Sequence, residues 1–309
     1  MTYTVVDVTP DTPEWLEERR RSVGASEVPA VMNLSAYGVT PFDIYRSKHG
    51  IDKEFDPILA LIGHMSEPIM HEYVEKHSGL HLELLPGFMA RSVEHPFLHA
   101  SFDRVTADGL KVQMKTAGHH AGHHWDEGIP TDIRVQVQAE MAVSGDSREL
   151  VVVMIGGREF RHYWEPRDDR FINEFLIPQV GEFWNGHVAL HNPPPAAAVR
   201  ELADRYPSEA REIDLSETAF EVLERITVLN SDIRAQEQER DALKVELANY
   251  VGTADTLTYE GQKVATYKTQ KGRASFDAAA LKRDHPELVA DYTTQGSPFK
   301  VLRRTKEKQ

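Results

Sequence analysis

Apolar and polar positions alternate in short runs through the first half of the chain. The apolar stretch 98–102 and the alternating stretch 112–116 lie on either side of Asp108 and Gly109. An Asp-Gly pair between two such runs is a strong signal for a tight hairpin turn. We therefore expect stretches 98–102 and 112–116 to form two strands joined by that turn. A second hairpin is predicted for residues 151–164, where two glycines separate two apolar runs.

Helical spacing with recognisable start signals predicts the helices of this half. Thr12 precedes Pro13, an N-cap followed by a residue that suits the first helical position. Further helices are predicted for Glu27–Met32, from Glu67-Pro68 to about His77, from a cap at Thr131 or Asp132 to about Val143, and for Asp169–His191. Strands and helices in this mixed order predict an α/β fold.

The last third of the chain has a different pattern. Its predicted helix carries a seam of mostly apolar positions spaced by three and four residues: Val222, Ile226, Leu229, Ile233, Gln236, Arg240, Leu243 and Leu247. We expect this helix to pack in a helical hairpin or against its own domain. A hairpin over 256–268, a helix capped near 275–277 and a basic strand over 301–306 follow. The proline-rich stretch 192–195 then separates a core at 1–195 from an appendage at 196–309.

The first predicted hairpin places three polar side chains together. Asp103, Gln113 and Lys115 lie at its strands. Phosphodiester hydrolysis uses oxygen ligands for Mg²⁺, which activates a water, and an ammonium that steadies the developing charge. Gln113 offers a carbonyl oxygen but no charge. The alternative is a solvated sheet whose polar residues have no catalytic role.

Further segments resemble, in the same order, the motifs of the lambda exonuclease and YqaJ viral recombinase family. They are Trp15–Arg19, Val23–Val28, Ser35–Tyr37 with Pro41–Tyr45, Gly63–Pro68, Ala100–Asp103, Val112–Thr116, and Val135–Met141 behind Ile129–Pro130. The resemblance covers about residues 12–165. It implies a restriction-endonuclease-like fold of the PD-(D/E)XK superfamily, a mixed sheet flanked by helices, here with a C-terminal appendage of helix and β-hairpin.

The resemblance also implies roles for individual residues. Asp103, position 113 and the carbonyl of Met114 are expected to bind two Mg²⁺, with Mn²⁺ as a substitute, and Glu67 to assist. Lys115 and Gln136 are expected to position the attacking water. The departure is at Gln113, where the family places Glu.

Two more groups are candidates for DNA contact. Arg19 with Ser26 predicts a pocket for a terminal phosphate, since a hydroxyl and free N–H groups at a helix start bind anions; the plainer interpretation is a Ser N-cap. The run of histidines from His119 and His120 to residue 124 is interpreted as a loop that contacts DNA or as a solvated loop, in preference to a transition-metal site.

By resemblance, the activity is that of a Mg²⁺-dependent 5′-to-3′ exonuclease on double-stranded DNA ends in phage recombination, impaired here by Gln113. The expected partners are a single-strand annealing protein and further copies of the chain in a trimeric or tetrameric ring. Alternatives are a non-catalytic module that binds DNA ends and a structural phage protein with the same fold.

Composition narrows these interpretations. The 309 residues include no cysteine, which excludes disulfides and a cysteine-ligated iron-sulfur cluster. The net charge is −14, yet residues 261–309 carry 11 Lys or Arg against 5 Asp or Glu. An acidic protein can bind DNA if its basic groups line one channel, and the basic residues of the tail are candidates for such a lining. The alternative is that the tail is a solvated segment with ordinary lysines and arginines. No apolar run reaches the ~20 residues of a membrane helix, and no signal peptide is visible, which predicts a protein of the bacterial host cytoplasm.

Overall fold

The structure is a computed structural model of the chain. It describes residues 2–304 except 11, 52–56, 85–88, 210, 295 and 297. The described residues form two compact units, one from 2–207 with 298–304 and the other from 208–297. The predicted division after residue 195 stays a prediction.

The strands and helices are as follows. The strands are β1 (Tyr3–Val6), β2 (Val23–Gly24), β3 (Leu82–Leu84), β4 (Met89–Ser92), β5 (Leu98–Ala100), β6 (Arg104–Thr106), β7 (Lys111–Ala117), β8 (Arg148–Ile155), β9 (Glu159–Pro166), β10 (Thr256–Tyr259) and β11 (Gln262–Thr266). The α-helices are α1 (Pro13–Arg20), α2 (Val28–Val31), α3 (Pro41–Lys48), α4 (Pro57–Ser78), α5 (Thr131–Ser144), α6 (Asp169–Phe171), α7 (Ile177–Glu182), α8 (Leu202–Arg205), α9 (Glu217–Val251), α10 (Ala278–Asp284) and α11 (Pro286–Asp291). Short 3₁₀ segments lie at Ala25–Glu27, His119–Trp125 and Val199–Glu201, and π-helical segments at Ile172–Leu176 and Phe183–Val188.

The first unit contains two sheets. One has the strand order β3-β6-β7-β8-β9, in which β7 and β8 are parallel and the other pairs antiparallel. The other has the order β1-β4-β5-β2. Helix α5 is the crossover from β7 to the parallel strand β8, the connection that a parallel pair requires. The mixed α/β fold that the sequence predicts is confirmed.

Helix α5 is buried on both sides because it lies between the two sheets. Val135, Ala139 and Val143 pack into the core of the second sheet. Val137 and Met141 pack on the first sheet. Polar residues between these two apolar faces are therefore buried as well, and the active-site candidates of α5 are among them.

Strand β7 has two different faces, as the period-two geometry of a strand dictates. Val112 and Met114 join a core with Met70 and Val74 of α4. Gln113 and Lys115 point the other way, toward α5. The same strand therefore anchors the sheet on one side and supplies polar groups on the other.

Three expectations about the elements were wrong. The partner of β7 across the Asp108-Gly109 turn is β6, whereas the apolar stretch around β5 belongs to the second sheet. Helix α4 begins at Pro57 and passes through Pro68, because a proline removes one helical hydrogen bond without always ending a helix. Residues 301–304 form no strand, and 305–306 lie outside the described residues.

The second unit contains the predicted long helix and hairpin. Helix α9 runs for 35 residues, and none of them is buried. The expected burial of its seam, in a helical hairpin or against its own domain, is therefore not observed: α9 is one continuous helix without a buried residue. Strands β10 and β11 pair antiparallel where the sequence predicts them, and Asp277 caps α10 by accepting a hydrogen bond from the backbone N–H of Ala280.

Candidate active site

The bend before β6 and the strand β7 bring the predicted acid and amide into contact. Asp103 lies just before β6, and its Oδ2 accepts hydrogen bonds from the backbone N–H of Met114 at 2.7 Å and from Nε2 of Gln113 at 2.8 Å. The backbone of β7 thus fixes the carboxylate, while the Gln113 side chain reaches it from the face that points toward α5.

A directed chain of hydrogen bonds connects the remaining candidates. Lys115 donates from Nζ to Oε1 of Gln136 at 2.9 Å. Nε2 of Gln136 donates to Oε1 of Gln113 at 3.3 Å, and Gln113 donates in turn to Asp103. Lysine only donates and a carboxylate only accepts, so the two ends of the chain fix the orientation of both amides. The structure brings these four predicted residues together.

Glu67 lies on α4, opposite Arg104. Its Oε2 is 2.9 Å from Nη1 of Arg104, the residue after Asp103, and the guanidinium also donates to the carbonyl of Asp103. Arg104 is buried. The predicted metal role of Glu67 therefore has a competitor, because a cationic side chain already holds this carboxylate.

The electrostatics of Asp103 follow from its surroundings. Burial raises the pKa of its carboxyl from 3.8 to about 7, although Lys115 and the N–H of Met114 act in the opposite direction. Glu67 and Glu140 add to the rise because like charges disfavour ionisation. The site therefore takes up a proton near neutral pH.

This pKa predicts a stability change with pH. A group whose pKa is higher in the folded than in the unfolded state contributes stability that is complete below the unfolded value and is lost as pH rises through the folded value. The unfolding free energy should therefore fall between about pH 4 and pH 7 by up to about 1.4 kcal/mol per pH unit for this group. Denaturant titrations across this range measure it. The part due to Asp103 should be absent in Asp103→Asn; an unchanged slope in that variant would contradict the assignment.

The predicted cation ligands can be tested against their hydrogen bonds. Asp103 Oδ2 and the carbonyl oxygen of Met114 both face Nε2 of Gln113, at 2.8 and 3.4 Å. The amide oxygen of Gln113 is turned toward Gln136 instead. An N–H group thus occupies the position where these oxygens would share a cation. As they are arranged, the residues do not fit a Mg²⁺ ion held by position 113.

Arg19 and Ser26, the predicted phosphate pocket, lie beside a buried ion cluster. Nη2 of Arg19 is 3.4 Å from Oε1 of Glu27, and its guanidinium lies 4.7 Å from the centre of the Trp15 ring. Ser26 is exposed. Glu27, not Ser26, closes the turn by accepting from the backbone N–H of Gly24 at 2.7 Å, so the N-cap interpretation of Ser26 was wrong.

Glu27 is the centre of that cluster, and Lys48 is its main partner. Nζ of Lys48 lies 2.5 Å from Oε2 of Glu27 and donates to the carbonyl of Arg19 at 2.8 Å. Burial would raise the pKa of Glu27, but Lys48, Arg19 and the nearby His99 lower it to about 2. Sequence reasoning missed Lys48, since twenty-one positions separate it from Glu27.

The histidine run forms an ordered 3₁₀ segment in place of the loop that was expected. His119 and His120 are exposed at its start, just after β7. Gly122 is packed against Ile155, and Trp125 is buried near Tyr163. The segment therefore presents imidazoles to solvent from a fixed backbone beside the strand that carries Lys115.

Sequence reasoning also missed two acids behind the site. Glu140 of α5 accepts from Nε2 of Gln136 at 2.7 Å, and the carboxyl of Glu149 on β8 lies beside it. Both are fully buried. The i,i+4 spacing of Gln136 and Glu140 was the available signal for the first; none pointed to the second.

The fold and the candidate site can now be compared with known proteins. A hairpin, a crossover helix and a parallel strand carry an acid, an amide and a lysine on a mixed α/β core, as the sequence predicts. More specifically, residues 14–147 match the YqaJ-like viral recombinase domain. This stretch of the chain is therefore similar to the YqaJ-like viral recombinase domain.

Individual proteins resemble the chain over most of its length. The uncharacterized protein YqaJ of Bacillus subtilis (strain 168) is 27% identical over 287 residues, which cover 89% of this chain and 88% of that protein. Among solved structures, an alkaline exonuclease from Laribacter hongkongensis is 19% identical with a TM-score of 0.46, over 59% of this chain and 94% of the other. A putative exonuclease from Eubacterium rectale is 10% identical with a TM-score of 0.45, over 68% of this chain and 97% of the other.

Membrane insertion of a helix finds no support within the described part of the chain. No helix there combines the length and the apolar character that crossing a bilayer requires.

Proposed function

We propose that this chain is a DNA exonuclease of the YqaJ type that acts on double-stranded ends and that Gln113 holds it in a weakly cleaving state. The observation that carries the proposal is the 2.8 Å contact from Gln113 Nε2 to Asp103 Oδ2, which puts an N–H group where two carboxylates would share a cation. The viral recombinase domain over residues 14–147 supports the DNA-processing context.

In this proposal, a divalent cation binds at the site only when position 113 carries a carboxylate, as in the Gln113→Glu variant. A divalent ion there would polarise the scissile phosphate and lower the pKa of a bound water. Mg²⁺ is the proposed ion, with two per site and Mn²⁺ as a substitute. In this chain, Lys115 and Gln136 already hold the arrangement that places an ammonium and an amide oxygen beside the site.

The test is incubation of the chain and of Gln113→Glu with linear duplex DNA and Mg²⁺. Degradation from the ends by the variant, with little or none by the unmodified chain, is the expected result. Equal inactivity of both forms with Mg²⁺ and with Mn²⁺ would remove the nuclease proposal.

A second candidate function is a module that binds DNA ends without cutting them. The same Gln113 contact favours it, since a neutral amide satisfies Asp103 with no cation. Binding of duplex ends in the presence of a chelator, with no degradation by Gln113→Glu, would establish this function in place of the first.

Strand polarity is proposed to depend on Arg19 and Ser26. A cleaved 5′ end carries a phosphate, and a guanidinium grips such a group with two parallel hydrogen bonds. The 3.4 Å contact of Arg19 with Glu27 is long enough to be exchanged for a phosphate, while Lys48 retains Glu27. His119 and His120 are proposed to contact the DNA backbone.

In a Gln113→Glu background, Arg19→Ala should abolish the preference for 5′-phosphorylated over 5′-hydroxyl ends while hydrolysis itself remains. The matched control is Arg21→Ala, because Arg21 is exposed and paired with Glu17 and Glu18 on the surface. End-labelled duplexes of both kinds measure the preference. Retention of the preference by Arg19→Ala, or degradation from 3′ ends, would place the phosphate pocket elsewhere.

Assembly is proposed to be a closed ring of three or four copies that takes in duplex and passes a single strand to an annealing protein in the bacterial cytoplasm. A ring lets a chain of net charge −14 hold DNA, since only its lumen needs basic groups. Light scattering at micromolar concentration should give a trimer or tetramer; a monomer with and without DNA would contradict the ring.

A further inference from the structure

Two buried carboxyl groups lie directly behind the residues of the candidate site. Glu140 on α5 is 1% exposed and Glu149 on β8 is 0% exposed. One oxygen of Glu140 accepts from Gln136. No donor of another described residue reaches its second oxygen or either oxygen of Glu149. The two carboxyl groups lie beside each other, close enough to interact.

The buried oxygens that lack a donor can be satisfied by the neighbouring carboxyl group only if a proton lies between the two groups, since two carboxylates offer only acceptor oxygens. Both groups are also buried away from water, and a second negative charge in such surroundings would be costly. We propose that Glu140 and Glu149 share a single proton and act as a positioning pair for Gln136 in the candidate active site. A catalytic role of Gln136 rests on the proposed nuclease function, whereas the geometry of the pair does not depend on it.

The positioning follows from how the Gln136 amide is used. Its Nε2 donates to Glu140 at 2.7 Å and to Gln113 at 3.3 Å, so both of its hydrogens have acceptors. Its Oε1 is thereby turned toward Lys115, 2.9 Å away. Without the Glu140 acceptor, the amide could rotate and present N–H groups to the ammonium, which would repel them. Glu140 therefore sets which end of Gln136 faces the site, and the proton from Glu149 holds Glu140.

The charged groups around the pair account for a single proton. Burial raises the pKa of both acids, and for Glu149 the neighbouring Glu140, Asp146 and Asp103 raise it further. Lys115 favours one negative charge on Glu140. The other charged groups nearby are already paired. Lys111 on β7 lies 3.5 Å from Asp146, and Glu165, opposite Glu149 on β9, lies 3.3 Å from Arg134.

The raised pKa values of the two acids determine how the stability of the fold changes with pH. Because the folded state keeps the proton above the ordinary pKa of 4.5, it binds more protons than the unfolded state at neutral pH. Stability must then fall as pH rises. Glu149→Gln supplies a permanent N–H to Glu140 and has no proton to lose, so it should preserve the fold and reduce the loss of stability as the pH rises above 4.5.

The first experiment is a series of denaturant titrations of the full chain from pH 5 to pH 9, beside three variants. Glu149→Gln should flatten the loss of stability. Glu165→Gln is the matched control, an acid directly opposite in the sheet whose change should leave the slope in place. Asp103→Asn measures the separate contribution of Asp103. An unchanged slope in Glu149→Gln would overturn the shared proton.

The second experiment measures positioning through hydrogen exchange of the Gln136 side-chain amide by NMR, assigned through loss of its signal in Gln136→Met. Glu140→Leu should speed that exchange by ~10-fold or more, the factor that one lost hydrogen bond gives. Glu140→Gln, which can accept from Gln136 and donate to Glu149, should restore it. Equal exchange in all forms would overturn the positioning role. If Glu140→Leu does not fold, a fast-exchanging Gln136 in Glu140→Gln overturns it, and slow exchange there supports it. Neither experiment uses DNA, so failure of the nuclease proposal would not be confused with failure of this one.

Discussion

Changing Gln113 to Glu should increase cleavage of linear duplex DNA by at least ~10²-fold, the scale on which one electrostatic contributor to a transition state acts. The two side chains have nearly the same shape. Only the charge and the N–H group differ, so the variant replaces the hydrogen bond to Asp103 with a like-charge contact that a cation must bridge. The rate of nucleotide release from labelled ends, with Mg²⁺ titrated, measures the effect.

Three controls isolate the cause of this increase. Gln113→Leu keeps much of the volume without any ligand oxygen and should stay inactive. Asp103→Asn in the Gln113→Glu background should return the chain to inactivity, because a single carboxylate remains between the bend before β6 and β7. Removal of Mg²⁺ by a chelator should do the same. Activity of the Gln113→Leu form would show that cleavage does not depend on this position.

Local signals predicted the parts of the site that lie close together in sequence. The Asp108-Gly109 turn was found because glycine readily adopts the positive φ that a tight turn requires, and Gly109 has φ 92°. The i,i+4 spacing of Gln136 and Glu140 was a further local signal, not used for Glu140, since the two side chains hydrogen-bond at 2.7 Å on one side of α5. The period of two along β7 separated Gln113 from Met114 in the same way.

Local signals did not predict which strands pair when they lie far apart in the sequence. The apolar stretch around β5 has the composition of a hairpin strand, yet it pairs with β2 and β4, and the polar strand β6 takes its place beside β7. Nothing local distinguishes these partners. The orientation of the Gln113 amide depends on Lys115 and Asp103 at the two ends of a chain of bonds, and the contact of Glu149 with Glu140 depends on how α5 sits on the sheet.

The buried cluster around Glu27 also joins residues that lie far apart in the sequence. Breaking it should lower the stability of the fold considerably. The Lys48 side chain is 1% exposed, and its ammonium has Glu27 and the Arg19 carbonyl as partners. Removing one partner of a buried ion pair costs about 3–5 kcal/mol. An exposed pair such as Arg21 with Glu17, whose side chains are 58% and 70% exposed, contributes far less.

Glu27→Gln should therefore lower the unfolding free energy by about 3–5 kcal/mol, and Glu17→Gln, the matched surface control, should change it by no more than about 0.5 kcal/mol. Adding Lys48→Met to Glu27→Gln should recover much of the loss, because it removes the buried ammonium and leaves an apolar chain of similar length. Denaturant titrations near pH 7 measure all three variants. The pKa of Glu27 is about 2 in the folded chain. The difference in unfolding free energy between Glu27→Gln and the unmodified chain should therefore shrink as the pH falls below about 4.5, where the carboxyl of the unfolded chain takes up its proton. A Glu27→Gln form as stable as the Glu17→Gln control would mean that water or another group solvates Lys48, and that the cluster does not hold α3 to the turn at Gly24.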